Sequence, residues 1–228
     1  MKRLLVLLAI IGCCMSAQAG EKPDKNEPAG RVKIVNASVI LPSRVIEGAT
    51  ILIEQGRIVA VGTDLTTPFK GARVIDAAGR YAAPGFIDVH CHGGGGYDFS
   101  DGTVEAMLRA AEMHAQHGTT LIYPTTASCS NETLFRLFDT YRKATVQNHS
   151  GAAFGGIHIE GGYLSQEMKG GQDPRYIKNP TPEDYNAILA AGGDLTARWT
   201  FAPELPGSEG LIGELARRGI QMSMGHTS

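Results

Sequence analysis

Residues 84–98 read PGFIDVHCHGGGGYD, and this stretch decides how the rest of the chain is read. Phe86, Ile87 and Val89 have the character of a buried strand, while Asp88, His90 and His92 recur at period two and so share one face. Neutral imidazoles two apart on a strand can both reach a single divalent cation, and nitrogen donors suit Zn or Fe better than Mg or Ca. The glycines from Gly93 to Gly96 end the strand and let backbone pass close to whatever lies over its C-terminal end. In a β/α barrel the active-site loops leave from that end.

Downstream of His92 the hydrophobic period changes. Val104, Met107, Leu108 and Ala111 fall on one face of a helix that runs to His117, and Thr119 to Thr125 is β-rich. Asn131 is the expected cap of a second helix carrying Leu134, Leu137, Phe138 and Tyr141. A third strand over 153–160, a helix over 182–191, a strand over 195–202, a helix over 210–218 and a fifth strand over 220–226 continue the alternation. Short connections between alternating strands and helices predict an α/β fold, a (β/α)8 TIM-like barrel over residues 84–228. A doubly wound sheet is the alternative, weakened because no Gly-rich phosphate loop follows the first strand. Ser228 comes directly after the fifth strand, so the barrel is expected to be truncated there, about three strand–helix units short of closing.

Upstream, residues 31–83 form short β-branched runs separated by turn residues such as Gly48 and Gln55-Gly56, the pattern of a small β-sandwich domain. Residues 20–30 are charged and lack large apolar side chains, which predicts a flexible leader. Before it, Lys2 and Arg3 precede an apolar run to Met15, and Ala17-Gln18-Ala19 carries the small residues of a signal-peptidase site. Residues 1–19 therefore read as a signal peptide of an exported, periplasmic protein. Ile10-Ile11-Gly12-Cys13 approximates a lipoprotein box, so lipid attachment at Cys13 is the alternative. The apolar run is shorter than the roughly 20 residues of a membrane helix, and no integral span is predicted.

Formal charge is −2 over the 228 residues, and loss of Lys2 and Arg3 makes it more negative, which argues against nucleic acid or an anionic membrane as partner. After the cut only Cys91 and Cys129 remain, too few for a disulfide scaffold.

Two more constellations fall at strand ends. His158 and Glu160 lie two apart on the third strand and point to one face, and Glu160 is suited to bridge metal ions. His226 ends the fifth strand. Three strands that each deliver His or Glu to one rim predict a metallohydrolase, with His90, His92, Glu160 and His226 as ligands. His114, His117 and His149 read as surface or capping residues, Asp98 and Asp101 as the end of the glycine loop and a cap, and Glu204 as a solvated loop acid.

The small β domain followed by PGFIDVHCHGGGG resembles the amidohydrolase superfamily. In order, PGFIDVHCHG, YPTT, GIHIEGGYL, FAPE and GHTS resemble the N-acetylglucosamine-6-phosphate deacetylase family over Arg31–Ser228. The resemblance implies metal-dependent hydrolysis of an N-acetyl group on an amino-sugar substrate, with one or two divalent ions, Zn or Fe. It matches Glu160 to the family's strand-three metal ligand, His226 to the first of two later metal histidines, and His90 and His92 to the pair holding a second ion. Dihydroorotase-like relatives bridge two metals with a carboxylated lysine on the fourth strand, and Leu195–Phe201 contains no lysine. The resemblance also implies a homodimer or higher oligomer, and puts the general base on an eighth-strand aspartate, beyond Ser228.

Two departures bear on the substrate. Gly162 stands where the family usually has Pro, and Gly170-Gly171-Gln172 where it usually has Gly-Ala/Thr-His, so an amide replaces a substrate-facing imidazole and Gly171 and Gln172 become the substrate-binding candidates. An export signal also fits poorly with a sugar phosphate. The alternatives are an exported amidohydrolase acting on an unphosphorylated N-acyl sugar or N-acyl amino acid, or a truncated product that binds metal or sugar without turnover.

Overall fold

A computed structural model of the chain describes residues 4–7, as backbone only, and residues 30–228. The signal-peptide cut after Ala19, the alternative lipid site at Cys13 and leader residues 20–29 lie outside the described residues; within the expected signal, Leu4–Leu7 form a strand, β1. Contacts divide the chain into two units, Met1–Phe86 and Ile87–Ser228.

In the first unit β2 (Arg31–Ile40), β3 (Val45–Glu54) and β4 (Arg57–Gly62) make an antiparallel meander. β5 (Arg73–Asp76) and β6 (Tyr81–Pro84) then lie parallel to successive halves of β2, pairing with Val32–Val35 and with Ser38–Val39. The register of β2 shifts between Ile34 and Ala37, where Asn36 has a left-handed φ of 56°. That bulge re-phases the strand so that Ile34, Ala37 and Val39 all turn inward, onto Ala49, Ile51, Ala77 and Ala82. Hydrogen bonding joins all six strands, β1 included, into one sheet. The expected sandwich is not met as two separate sheets among the described residues, because β5 and β6 extend the edge of β2 instead of starting a second layer.

The second unit begins within β7 (Phe86–Cys91). A tight hairpin follows, β8 (Gly93–Gly94) against β9 (Tyr97–Asp98), turned by Gly95 and Gly96 with φ of 63° and 87°. Two successive positive φ values are what a two-residue hairpin loop demands, and glycine supplies them without strain. Strands and helices then alternate: α1 (Val104–Gln116), β10 (Thr119–Pro124), α2 (Asn131–Gln147), β11 (Ala153–Phe154), β12 (Ile157–Glu160), α3 (Pro182–Gly192), β13 (Thr196–Phe201), α4 (Ser208–Arg218) and β14 (Gln221–Met224). Hydroxyls cap three of the helices: Thr103, Ser130 and Thr181 accept from the backbone N–H of Ala106, Thr133 and Asp184. The cap of α2 is thus Ser130, one residue before the expected Asn131, whose amide donates instead to Asp184.

The strands associate in chain order. β7 pairs with β10, a parallel bridge joins Thr125 to His158, and β12, β13 and β14 form a parallel ladder. The third strand is broken at Gly155-Gly156, so that β11 ladders with β10 and β12 with β13, while His158 of β12 reaches the other side through its single bridge to Thr125. A Cβ on Gly155 would come within 2.6 Å of the Tyr123 ring, and one on Gly156 within 2.6 Å of the Ala197 Cβ. Side-chain alternation along β12 sends Ile157 and Ile159 to the helix layer, where they join Ile122, Phe138, Trp199, Phe201, Leu189 and Leu211. His158 and Glu160 project from the other face.

β7 departs from expectation. Phe86, Ile87 and Val89 are 60%, 62% and 45% exposed, not buried. Among the described residues the strand has a neighbour on one edge only, β10, and a strand lacking a second neighbour leaves apolar side chains in solvent. β14, at the other end of the array, is likewise open, with Met224 76% exposed. Among the described residues no helix is long and apolar enough to cross a membrane.

Candidate metal centre

Glu160 ends β12 and is 4% exposed. Its Oε2 lies 3.0 Å from Nε2 of His92 and 3.3 Å from Nε2 of His90, and its Oε1 lies 3.2 Å from Nε2 of His226. The two Nε2 atoms of His90 and His92 are 3.2 Å apart. The four residues expected to act together therefore do converge, from β7, β12 and the turn after β14.

Local bonding explains the aim of each side chain. Thr126 pins the Glu160 backbone by accepting its N–H at 3.0 Å and donating to its carbonyl at 2.8 Å. His226 has a left-handed φ of 50°, and its Nδ1 donates to the Met168 carbonyl at 2.8 Å, which turns Nε2 toward Glu160. The Gln172 amide stands beside the carboxylate: its Nε2 donates to Glu160 Oε2 at 3.5 Å and its Oε1 accepts from the Ser128 N–H at 2.6 Å. Gly171, the other substrate-binding candidate, is exposed on the same loop.

His158 shares the face of Glu160 but does not join the cluster. It is fully buried, bonded through Nε2 to the Thr200 hydroxyl at 2.7 Å and through Nδ1 to that of Thr125 at 3.2 Å, with its ring edge-on to His90 at 4.8 Å. Burial, followed by the charges of His90 and Arg198, lowers its pKa to about 4, so it stays neutral and wedges the His90 ring in place. Asp88 is also separate. Its Oδ1 accepts the backbone N–H of His90 at 3.0 Å, which curls the carboxylate back along the strand, away from the face expected from simple alternation.

Burial alone would raise the Glu160 carboxyl, but the His92 hydrogen bond and the charges of His90, His92 and His226 outweigh it and hold the group below the usual carboxylate range. Reciprocally, the hydrogen bond to Glu160 raises the His92 imidazole above its ordinary value. Three imidazole nitrogens and a buried carboxylate around one point are a donor set for Zn or Fe, and His90, His92 and Glu160 meet the spacing of a metal site. The Met168 carbonyl behind His226 is the outer partner that such ligands require.

The weaker sequence candidates sit elsewhere. His117 is the C-cap of α1 with Nδ1 on the Met113 carbonyl, and His149 is exposed in a loop. Asp98 and Asp101 form a capping box around the short turn Phe99–Asp101. Glu204 accepts from the Thr227 hydroxyl at 2.6 Å and the Ser228 N–H at 2.7 Å, which fastens the segment next to His226. Sequence reasoning passed over Thr126 and Ser128. The run Thr125-Thr126-Ala127-Ser128 directly after β10 was their signal, since it puts three hydroxyls at a strand's C-terminal end.

Relatives share this arrangement of sequence and fold. No protein-family model matches the chain. The N-acetylglucosamine-6-phosphate deacetylase of Mus musculus is 32% identical over 197 residues, which are 81% of this chain and 47% of the relative. That of Haemophilus influenzae is 34% identical over 159 residues, 69% of this chain and 41% of the relative. Among solved structures, the N-acetylglucosamine-6-phosphate deacetylase of Pasteurella multocida superposes with a TM-score of 0.77 at 29% identity, over 86% of this chain and 51% of that one. The chain thus spans about half the length of the relatives it matches. From the ordered strand-end motifs, the sequence likeness and the shared fold, the chain belongs to the N-acetylglucosamine-6-phosphate deacetylase family.

Proposed function

We propose that the protein containing this chain hydrolyses the N-acetyl group of N-acetylglucosamine 6-phosphate, releasing acetate, with Glu160, His226, His90 and His92 holding one or two divalent ions, Zn or Fe. The observation that carries this reading is a carboxylate 4% exposed with three imidazole nitrogens 3.0–3.3 Å from its oxygens. A Mycobacterium smegmatis relative, 29% identical with a TM-score of 0.73, has been solved in complex with N-acetyl-D-glucosamine-6-phosphate, which favours this sugar over other acyl amides. The strand order of the second unit supports a (β/α)8 barrel as the fold of the whole protein, with the site on the rim at the strands' C-terminal ends.

Bound there, a divalent ion would supply Lewis acidity toward an acyl carbonyl and lower the pKa of water toward about 7. The chain's own residues do the rest of what can be assigned. Glu160 supplies negative charge that burial keeps unsolvated, and Thr126 fixes where that charge sits. His158, kept neutral, adds no competing positive charge beneath His90. Gln172 places an amide at the lip of the site, where it can orient a sugar hydroxyl or acyl group while bracing the carboxylate.

Acetate release from the phosphorylated sugar, the plain sugar and an N-acetyl amino acid by the full-length protein, before and after chelation, tests the reading. Turnover of the phosphorylated sugar that chelation abolishes is expected. Turnover of the amino acid alone would place the protein in another branch of the superfamily, and metal-independent turnover would remove the role given to Glu160. The residues of an export signal at 1–19 favour one second reading, an unphosphorylated N-acetyl amino sugar as substrate. A higher kcat/KM on the plain sugar would select it.

A further inference from the structure

A second cluster of ligand-type side chains lies between β7 and α1, and none of its members is among the donors around Glu160. A carboxylate oxygen of Asp88, Sγ of Cys91 and a ring nitrogen of His114 all lie within 4.8 Å of one another. Cys91 is 9% exposed and belongs to the apolar core that also holds Met107, Ala110 and Ala111 of α1. His114 is placed by two features of the glycine hairpin. Its Nε2 donates to the Gly93 carbonyl at 3.0 Å, and Gly94 has no Cβ, where one would come 3.3 Å from that nitrogen and collide with Met113. With Nε2 committed to a carbonyl, the imidazole has its Nδ1 lone pair free for a metal, the same carbonyl–imidazole pairing that orients metal-bound histidines generally. Asp88 spends Oδ1 on the His90 N–H and retains its second oxygen.

We propose that Asp88, Cys91 and His114 form a separate site for a borderline-soft divalent cation, Zn²⁺ in the first instance, which clamps the first helix of the second unit to its first strand. Sulfur, nitrogen and oxygen donors together suit Zn²⁺, and neither Mg²⁺ nor Ca²⁺ takes a thiolate. Tetrahedral zinc with bonds of about 2.0–2.3 Å sets its donors about 3.3–3.8 Å apart, so the three groups need to close by about 1 Å. On binding, the S–H bond of Cys91 breaks, its proton leaves to buffer, its electron pair forms the sulfur–metal bond, and a water completes the coordination. The site is structural and does not depend on the activity proposed for Glu160.

Cobalt(II) titration of the metal-stripped chain carrying Glu160→Ala isolates this site from the other. A near-ultraviolet sulfur-to-cobalt charge-transfer band, saturating at one ion per chain, is expected in that background. Cys129→Ser should keep the band and Cys91→Ser should abolish it with unchanged far-ultraviolet circular dichroism, while His114→Gln should weaken cobalt binding by at least about tenfold. If Cys91→Ser does not fold, Asp88→Asn and His114→Gln decide, and unchanged affinity in both overturns the proposal. Absence of the band, or its survival in Cys91→Ser, overturns it as well. A failure here leaves the Glu160 centre untouched, because that centre contains no sulfur.

Discussion

β12 and β7 each present a pair of site residues two apart, His158/Glu160 and His90/His92, yet they hold them in opposite ways. All four residues of β12 are buried, with β13 on one side and Thr125 bridged on the other. β7 has one neighbour, and the imidazoles of His90 and His92 are 42% and 41% exposed. The difference teaches that the carboxylate is the preorganised half of the centre and the HxH pair the adaptable half. A charge fixed by backbone and side-chain partners before any ion arrives needs little rearrangement to act, whereas exposed rings lose rotamer freedom when they bind.

Removing each half of the centre in turn should give the largest effects. Glu160→Ala should lower metal content below the level detectable by elemental analysis after gel filtration, since it deletes the group on which all three imidazoles converge. His90→Ala should leave a measurable fraction bound. Equal losses in both variants would mean the two halves are equally organised.

Bracing of the enclosed half can be tested away from the ligands. Asp184 accepts from the Tyr163 hydroxyl at 2.6 Å and the Asn131 amide at 2.6 Å and pairs with Lys178 at 2.7 Å, tying the segment after β12 to the starts of α2 and α3. Asp184→Ala should cost about 2–3 kcal/mol in urea unfolding, because it strands a buried phenol and an amide. Burial raises the Asp184 carboxyl, but its bonds to Lys178, Tyr163 and Asn131 prevail and lower it from the ordinary 3.8. A carboxylate depressed in the folded state contributes stability that is full above its unfolded pKa and is lost as pH falls through the folded value. Stability should therefore drop below about pH 4 in the parent and drop less in Asp184→Asn.

Gln172 sharpens the comparison with a smaller effect. Because its amide reaches both Ser128 and Glu160, Gln172→Ala should weaken metal binding by about tenfold, as loss of an outer-shell partner does. If the amide also positions the sugar in the proposed reaction, the full-length protein should show a raised KM with kcat little changed. Smallest of all is Ile87→Ser on the open strand. In this chain it should shift stability by less than about 0.5 kcal/mol, as surface substitutions do. In a longer protein whose further strands cover β7, it should cost about 1.5–3 kcal/mol.

These contrasts also mark what could be read in the residues. The spacing of His90/His92 and of His158/Glu160, with His226 at a strand end, was enough to place four side chains at one rim, because a strand's period of two fixes direction without tertiary knowledge. The same rule misplaced Asp88, whose carboxylate turns back to the His90 N–H, a local hydrogen bond that periodicity does not encode. It put His158 on the face of Glu160 without giving it a role, and Thr125 and Thr200, remote in sequence, are what claim both its nitrogens. Phe86, Ile87 and Val89 looked buried because apolar β residues usually are, but burial belongs to the neighbours a strand acquires, and β7 has one. The break at Gly155-Gly156 was written in the sequence as two glycines, yet only the approach of Tyr123 and Ala197 explains it.

The left-handed backbone of His226 has an outcome for anyone improving this protein. A residue with a Cβ at φ 50° carries strain on the order of 1 kcal/mol that glycine would not, and asparagine only in part. A laboratory evolution campaign scored on heat resistance alone would thus enrich glycine at this position and discard the ring whose Nε2 lies 3.2 Å from Glu160. With the metal role proposed for His226, selection for robustness and selection for turnover pull residue 226 in opposite directions, and a screen that reports both would register the conflict as a depleted position flanked by tolerant ones.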